Sequence, residues 1–166
     1  MKKVCMVVVF MAFVFTGLCL ADEIAGKVSS VDSAKKMLQI SGVRIQATDA
    51  WIENEQDYPL ALNKLVPGDY IEIDGKFIGS SKMQATKIER TLLQCAAVKG
   101  RIASVNPQKR EMIISGIKIK VPVNIWLEGP NRVKIPLELF APGYSVNCKG
   151  NWTANSELTA FKITVE

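Results

Sequence analysis

An all-β fold, built as two tandem small five-stranded barrels, is predicted for this chain by three observations. Residues 24–88 are repeated as residues 98–163. Each copy contains runs in which apolar and polar residues alternate with period two, as in strands that bury one face. Helical spacing is confined to one short stretch per copy, which leaves room for at most a short helix between the third and fourth strands.

The copies match position by position. Gly26, Lys27, Val28, Ser30 and Val31 face Gly100, Arg101, Ile102, Ser104 and Val105. The hairpin of Ile40, Ser41, Gly42 and Val43 faces Ile114, Ser115, Gly116 and Ile117. Trp51-Ile52-Glu53 faces Trp126-Leu127-Glu128 after one inserted residue, and Pro67-Gly68, Ile71, Ile73, Gly75 and Phe77 face Pro142-Gly143, Val146, Cys148, Gly150 and Trp152. A period of 74 to 75 residues is too long for a solenoid and suits a small domain.

Residues 1–21 read as a secretory signal. Lys2 and Lys3 precede an apolar run over residues 4–15, and the small residues Cys19 and Ala21 place cleavage after Ala21. Leu18 before Cys19 argues against a lipoprotein signal. The run is shorter than the roughly 20 residues that span a bilayer, so no transmembrane anchor is expected in the mature chain. The expected address is outside the cytoplasm, periplasmic or secreted.

Two repeats follow, at residues 22–92 and 93–166. In each first strand the apolar spacing slips from two to three, at Val28 to Val31 and Ile102 to Val105, which predicts a bulge that bends the strand around a closing barrel. Ser41-Gly42 supplies a tight hairpin turn. Trp51 and Trp126 fall at the end of the third strand, where equal placement predicts packing or capping. Residues 59–65 have helical spacing before Pro67-Gly68, whereas Pro136 inside the equivalent stretch predicts a shorter helix or none. Residues 70–75 and 145–150 alternate cleanly as half-buried strands. The junction over residues 91–98 lacks Gly, Pro and Ser, so the repeats are expected to be joined stiffly and packed together.

Three strands, a short helix or loop and two strands is the order of an OB-type barrel. The same residues carry a resemblance: Gly-x-Val/Ile, the Ser-Gly hairpin, the Pro-Gly turn before x-Val/Ile-x-Val/Ile-x-Gly, and the closing Ala-x-x-Ile resemble the secreted bacterial family 5666 of domains of unknown function. The resemblance covers nearly all of both copies and implies OB-like barrels. Its motifs are glycines and core residues, so it implies no activity. Asp69 fits the pattern, but Tyr144 departs from it, which separates the surface roles of the two copies.

Repeats of about 70 residues need support beyond one core. In an exported chain Cys95 and Cys148 are candidates for a disulfide. Cys148 replaces Ile73 and alternates with Val146, so it reads equally as a core thiol.

Composition excludes several chemistries. Histidine is absent, which removes Ser-His and Cys-His nucleophile pairs and histidine metal sites. Two mature cysteines cannot build a thiolate zinc site, and no phosphate-binding glycine loop occurs. Glu72 and Asp74 share a strand face, but Asn147 and Lys149 replace them in the second copy, so they read as a solvated face. No catalytic residues, metal or cofactor are expected.

Charge divides the copies. Residues 22–94 hold 9 basic and 11 acidic side chains, whereas residues 95–166 hold 10 and 5. A basic strand beside an indole makes Lys118, Lys120, Lys149 and Trp152 the candidate ligand-binding residues. The expectation is a non-enzymatic binding or adaptor module of the cell envelope, whose second barrel recognises a small anionic ligand or a glycan. The alternative is a structural or assembly protein that pairs with another envelope protein through a strand edge. Export disfavours nucleic acid as a partner.

Overall fold

The computed structural model describes residues 21–166; residues 1–20, on which most of the predicted export signal falls, lie outside the described residues. The first repeat forms β1 (Asp22–Asp32), β2 (Met37–Ile40), β3 (Val43–Gln46), β4 (Trp51–Glu53), β5 (Tyr70–Gly79) and β6 (Lys82–Arg90). The second forms β7 (Ala96–Asn106), β8 (Glu111–Ile114), β9 (Ile117–Lys120), β10 (Trp126–Glu128), β11 (Ser145–Ala154) and β12 (Glu157–Val165).

Five strands of the first repeat close on themselves. β1 pairs antiparallel with β2 and β5, β2 with β3, and β5 with β6, while β3 and β6 complete the circuit in parallel. The same pairings link β7, β8, β9, β12 and β11. The bulge falls where the spacing slips: the register of β1 against β2 shifts between Val28 and Ser30, and that of β7 against β8 between Ile102 and Ser104. Both central residues of each hairpin turn have positive φ, 44° at Ser41 and 81° at Gly42, 48° at Ser115 and 85° at Gly116. That is the twist a two-residue hairpin requires.

Two local expectations are corrected. The third strand does not run on to the tryptophans. The chain leaves β3 after Gln46, turns through residues 47–50 and resumes as β4, which lies parallel to β6 with Trp51 opposite Lys87; β10 repeats this with Trp126 opposite Lys162. Pro136 does not shorten the helical segment. An equivalent 3-10 turn occurs in each repeat, Leu62–Lys64 and Leu137–Leu139, and the second repeat has a further one at Pro130–Arg132. Pro136 precedes Leu137–Leu139 in extended conformation, where its missing N–H removes no helical hydrogen bond.

The two closed units are fused into one twelve-stranded sheet. β1 and β7 pair antiparallel, with Ile24 opposite Val98 and flanking pairs Glu23 to Lys99 and Ala25 to Ala97. Each strand thus meets the other at equivalent positions, around a local two-fold axis. Registers carry one row through the junction, Ile88, Ile73, Ile24, Val98, Cys148 and Ile163, on six successive strands. Every member has 0% exposure, and the row belongs to one apolar cluster drawn from both repeats. The repeats are joined through this ladder, while Leu92 and Leu93 in the connecting segment are exposed.

Hairpin tips lock the junction. Ser156 donates its N–H to Ser41 O at 2.6 Å, and the Ser81 and Ser156 hydroxyls, equivalent by the repeat, lie 2.6 Å apart. Asp22 accepts from the Ser115 hydroxyl at 2.8 Å and from the Phe77 N–H at 3.1 Å. Gly75 and Gly150 are required by close approach: a Cβ would collide with the carbonyl oxygens of Gln84 and Thr159.

Among the described residues, Cys95 and Cys148 are unpaired. Cys148 lies in the buried row with its side chain on the inward face between Val98 and Ile163, and burial pushes its thiol up to about 12. Cys95 sits partly exposed just before β7.

Because Ile24 serves both units, Ile24→Ala should destabilise the protein by about 2–5 kcal/mol. Chemical denaturation of the wild type should follow one cooperative transition by both far-ultraviolet circular dichroism and tryptophan fluorescence. Separate transitions would show that the units fold independently.

Candidate functional site

Cross-strand partners project their side chains to the same side of a sheet. With the Ile24 row facing inward, the neighbouring rows lie on the outer side, exposed toward their ends and buried at Ala25 and Ala97 in the middle. On the first repeat one row runs Trp51, Lys87, Asp74 and Glu23, and continues on the second as Lys99, Asn147 and Thr164. The next runs from Glu89 and Glu72 through Ala25 and Ala97 to Lys149, Lys162 and Trp126. An open face eight strands wide therefore carries an indole at each end. Seven strand spacings put the two roughly 34 Å apart along the curved sheet.

Each indole is held by the same device. Trp51 Nε1 donates to Glu53 Oε2 at 2.7 Å, and Glu53 Oε1 meets Lys87 Nζ at 2.6 Å. Trp126 Nε1 donates to Glu128 Oε2 at 2.8 Å, and the same oxygen meets Lys162 Nζ at 3.2 Å. Glu53 and Glu128 are the buried charged residues, 6% and 8% exposed, while the rings they anchor are 54% and 48% exposed. Hydrogen bonds from Lys87 and then Trp51 hold the Glu53 carboxyl below its usual range, and those from Trp126 and then Lys162 do the same for Glu128. Both carboxylates are thus ionised at neutral pH, when they accept best. The tryptophans were expected to pack or cap; each instead presents a fixed flat face to solvent.

A second feature lies at the junction. Glu23 stands between Asp74 on β5 and Lys99 on β7. Burial, followed by the charges of Glu72 and Asp74 and a hydrogen bond with Glu72, raises its pKa from 4.5 to about 7 against the opposing pull of Lys99. Lys99 is itself held by Glu166 at 3.0 Å. Glu72 and Asp74 were read from sequence as a solvated pair; Glu23, fifty residues away, is what makes their face electrostatically tense.

The residues chosen from sequence as a ligand site are not gathered into one. Lys118 is paired with Glu111 and Glu157, both at 3.2 Å, and Lys120 with Glu157 at 2.6 Å. The parallel pairing of β9 with β12 places Glu157 opposite Lys118 and neutralises that basic strand. Trp152 belongs to the junction: its Nε1 donates to Ala25 O at 3.1 Å and its ring covers Gly26, where a Cβ would collide with it. Lys149 alone stays on the open face, opposite Lys162, with no ion-pair partner among the described residues. Trp51 and Trp126 were legible as a repeated Trp-x-Glu pattern, but their exposure was not.

Among the described residues no group of His, Cys, Asp and Glu side chains is placed to hold a metal ion, and no helix is long and apolar enough to cross a membrane. Residues 25–89 match the family described as Domain of unknown function (DUF5666). The match spans the first repeat from β1 to the end of β6, where the glycine and core pattern is found, and supports the family resemblance there. No curated protein and no solved structure matches the chain.

Two outcomes are expected. In a background where Trp126→Phe and Trp152→Phe leave Trp51 as the one tryptophan, Glu53→Ala should lower the steady-state fluorescence anisotropy of the indole; unchanged anisotropy would mean that the carboxylate does not fix the ring. Glu23 should make stability pH-dependent. A carboxyl whose pKa is raised on folding favours the folded state when protonated, so stability is retained below about 4.5 and is lost as pH rises toward 7. Thermal midpoints measured across that interval should fall in the wild type and flatten in Glu23→Gln.

Proposed function

We propose that the chain is a non-enzymatic binding module of the cell envelope, made of two fused OB-type barrels, that takes a carbohydrate ligand on the exposed indoles of Trp51 and Trp126. The barrel reading rests on the strand circuit, in which the first, second, third, fifth and fourth long strands of each unit are joined in that order and the third lies parallel to the last. Export rests on the composition of residues 1–21.

The observation that carries the ligand reading is the repeated device of indole, buried carboxylate and lysine. An exposed tryptophan is ordinary, and two in equivalent positions can be packing remnants. An indole pinned by a buried ionised carboxylate in both repeats is a platform whose orientation has already been fixed, so little side-chain freedom is lost when a ligand stacks on it. A sugar ring offers the matching chemistry, with apolar C–H faces for the indole and peripheral hydroxyls for the polar rows beside it. Two platforms on one rigid sheet would engage a chain of sugars at two points, which raises avidity without strengthening either contact.

The strand-edge alternative has less support. Every longer strand has two neighbours in its circuit, with one-sided pairing confined to strand ends such as Ser30–Asp32 of β1 and Lys76–Gly79 of β5 and their equivalents. Of the short ones, β4 and β10 have three residues each, and the returning chain bonds over them through Leu60 N–H to Ile52 O and Ile135 N–H to Leu127 O. Little backbone is left for another protein's strand to join.

The test is titration of the mature protein with neutral and acidic oligosaccharides, followed by intrinsic fluorescence and calorimetry. Binding should weaken at least tenfold in Trp51→Ala or Trp126→Ala and be lost in the double variant, with the far-ultraviolet spectrum unchanged. Absence of binding by every sugar, or binding unaffected in the double variant, overturns the platform reading.

A further inference from the structure

The platforms share one scaffold but differ in the charges around it: four differences run in one direction, and the change from Thr91 to Glu166 at the cleft's edge runs against them. Registers fix four equivalences. Glu72 pairs with Glu89 in the first repeat and Asn147 with Thr164 in the second; Asp74 pairs with Lys87, and Lys149 with Lys162. The isolated bridges from Glu53 to Pro59 and from Glu128 to Lys134 supply the fourth. From first to second platform, Glu72 becomes Asn147, Glu89 becomes Thr164, Asp74 becomes Lys149 and Pro59 becomes Lys134. Each change removes a negative charge or adds a positive one. Trp, Glu and Lys of the anchoring device are unchanged.

We infer that the second platform binds a carboxylate-bearing sugar, which stacks on Trp126 while Lys149 takes its carboxylate. This deepens the function proposed above and rests on it. Lys149 directly opposite Lys162 places like charges on adjacent strands, an arrangement that is unfavourable until an anion lies between them. Lys162 is balanced by Glu128, whereas Lys149 has no ion-pair partner among the described residues. Lys134 Nζ lies over the Trp126 ring, 5.7 Å from its centroid, and adds positive charge beside it, while Trp126 as a whole is 48% exposed. The acid that faces this cleft, Glu166, is held by Lys99 at 3.0 Å.

Asn147 is one of the residues that line the same cleft as Lys149, Lys162 and Thr164, and its buried Oδ1 has no hydrogen-bond partner. Trp126, Lys162 and Lys149 lie on three successive strands, so stacking face and free ammonium are separated by roughly 10 Å of sheet, enough for a disaccharide.

The experiment compares digalacturonate with its uncharged dimethyl ester, two probes of one shape that differ in charge, by calorimetry on the mature protein in low salt. The acid should bind at least tenfold more tightly than the ester, and Lys149→Asp, which installs the residue of the first platform, should abolish the preference. Both proteins should have the same circular dichroism spectrum. Equal binding of acid and ester, lost in Trp126→Ala, would overturn the assignment of an acidic sugar and leave the platform standing. A preference that persists in Lys149→Asp would overturn the role of Lys149, and failure of both probes to bind would overturn the assignment together with the platform.

Discussion

Everything in this molecule is organised by three residue pairs between β1 and β7. A closed strand circuit of about 70 residues has a small interior and a large surface, and stands near the limit at which one core outweighs chain entropy. Pairing the first strand of one circuit with the first strand of the other, Ile24 against Val98, removes that limit by making two interiors one. The row from Ile88 to Ile163 then crosses six strands without meeting water. Glycine at positions 26 and 100 lets the units approach, one under the Trp152 ring and the other against Ser115 and Asp22.

The same ladder produces the open face. Strands alternate sides, so a junction that buries Ile24 and Val98 must expose Glu23 and Lys99 beside them. Ala25 and Ala97 keep the centre of that face low, and larger polar groups rise on either side. The surface became continuous because the core did, and the two indoles are its ends. On the open face the anchoring carboxylates and lysines are retained, while Glu72, Glu89 and Asp74 beside them give way to Asn147, Thr164 and Lys149 across the axis. A duplicated scaffold can diverge in this way at little structural cost, since exposed strand positions tolerate exchange that core positions do not.

Much of the framework was legible in the chain. The slip from Val28 to Val31 marked a real bulge because an extra residue in a strand disrupts period-two burial wherever it occurs. The Ser-Gly turns were legible because few residues adopt the positive φ that such hairpins demand. The end of the third strand was not, because the break before Trp51 is set by the parallel partner β6, distant in sequence. The four candidate site residues are dispersed for the same reason. Lys118 and Lys120 look like a basic strand until Glu157 arrives opposite them, and Trp152 looks like a surface indole until the Ala25 carbonyl accepts its proton.

From the order of its residues alone, this chain determines the strand periodicity, the turns, the bulges and the duplication, because each depends on steric preferences within a few positions. Tertiary structure decided which charges are free and which rings are exposed. Whether a lysine is spent on a glutamate, or an indole is buried or displayed, depends on what another strand brings within a few ångströms, and Coulombic and hydrogen-bonding energies fall off over that distance. Lys149 and Trp126 emerge as the open pair, and Lys118 and Trp152 as the satisfied ones, only when β12 and β1 have taken their places beside them.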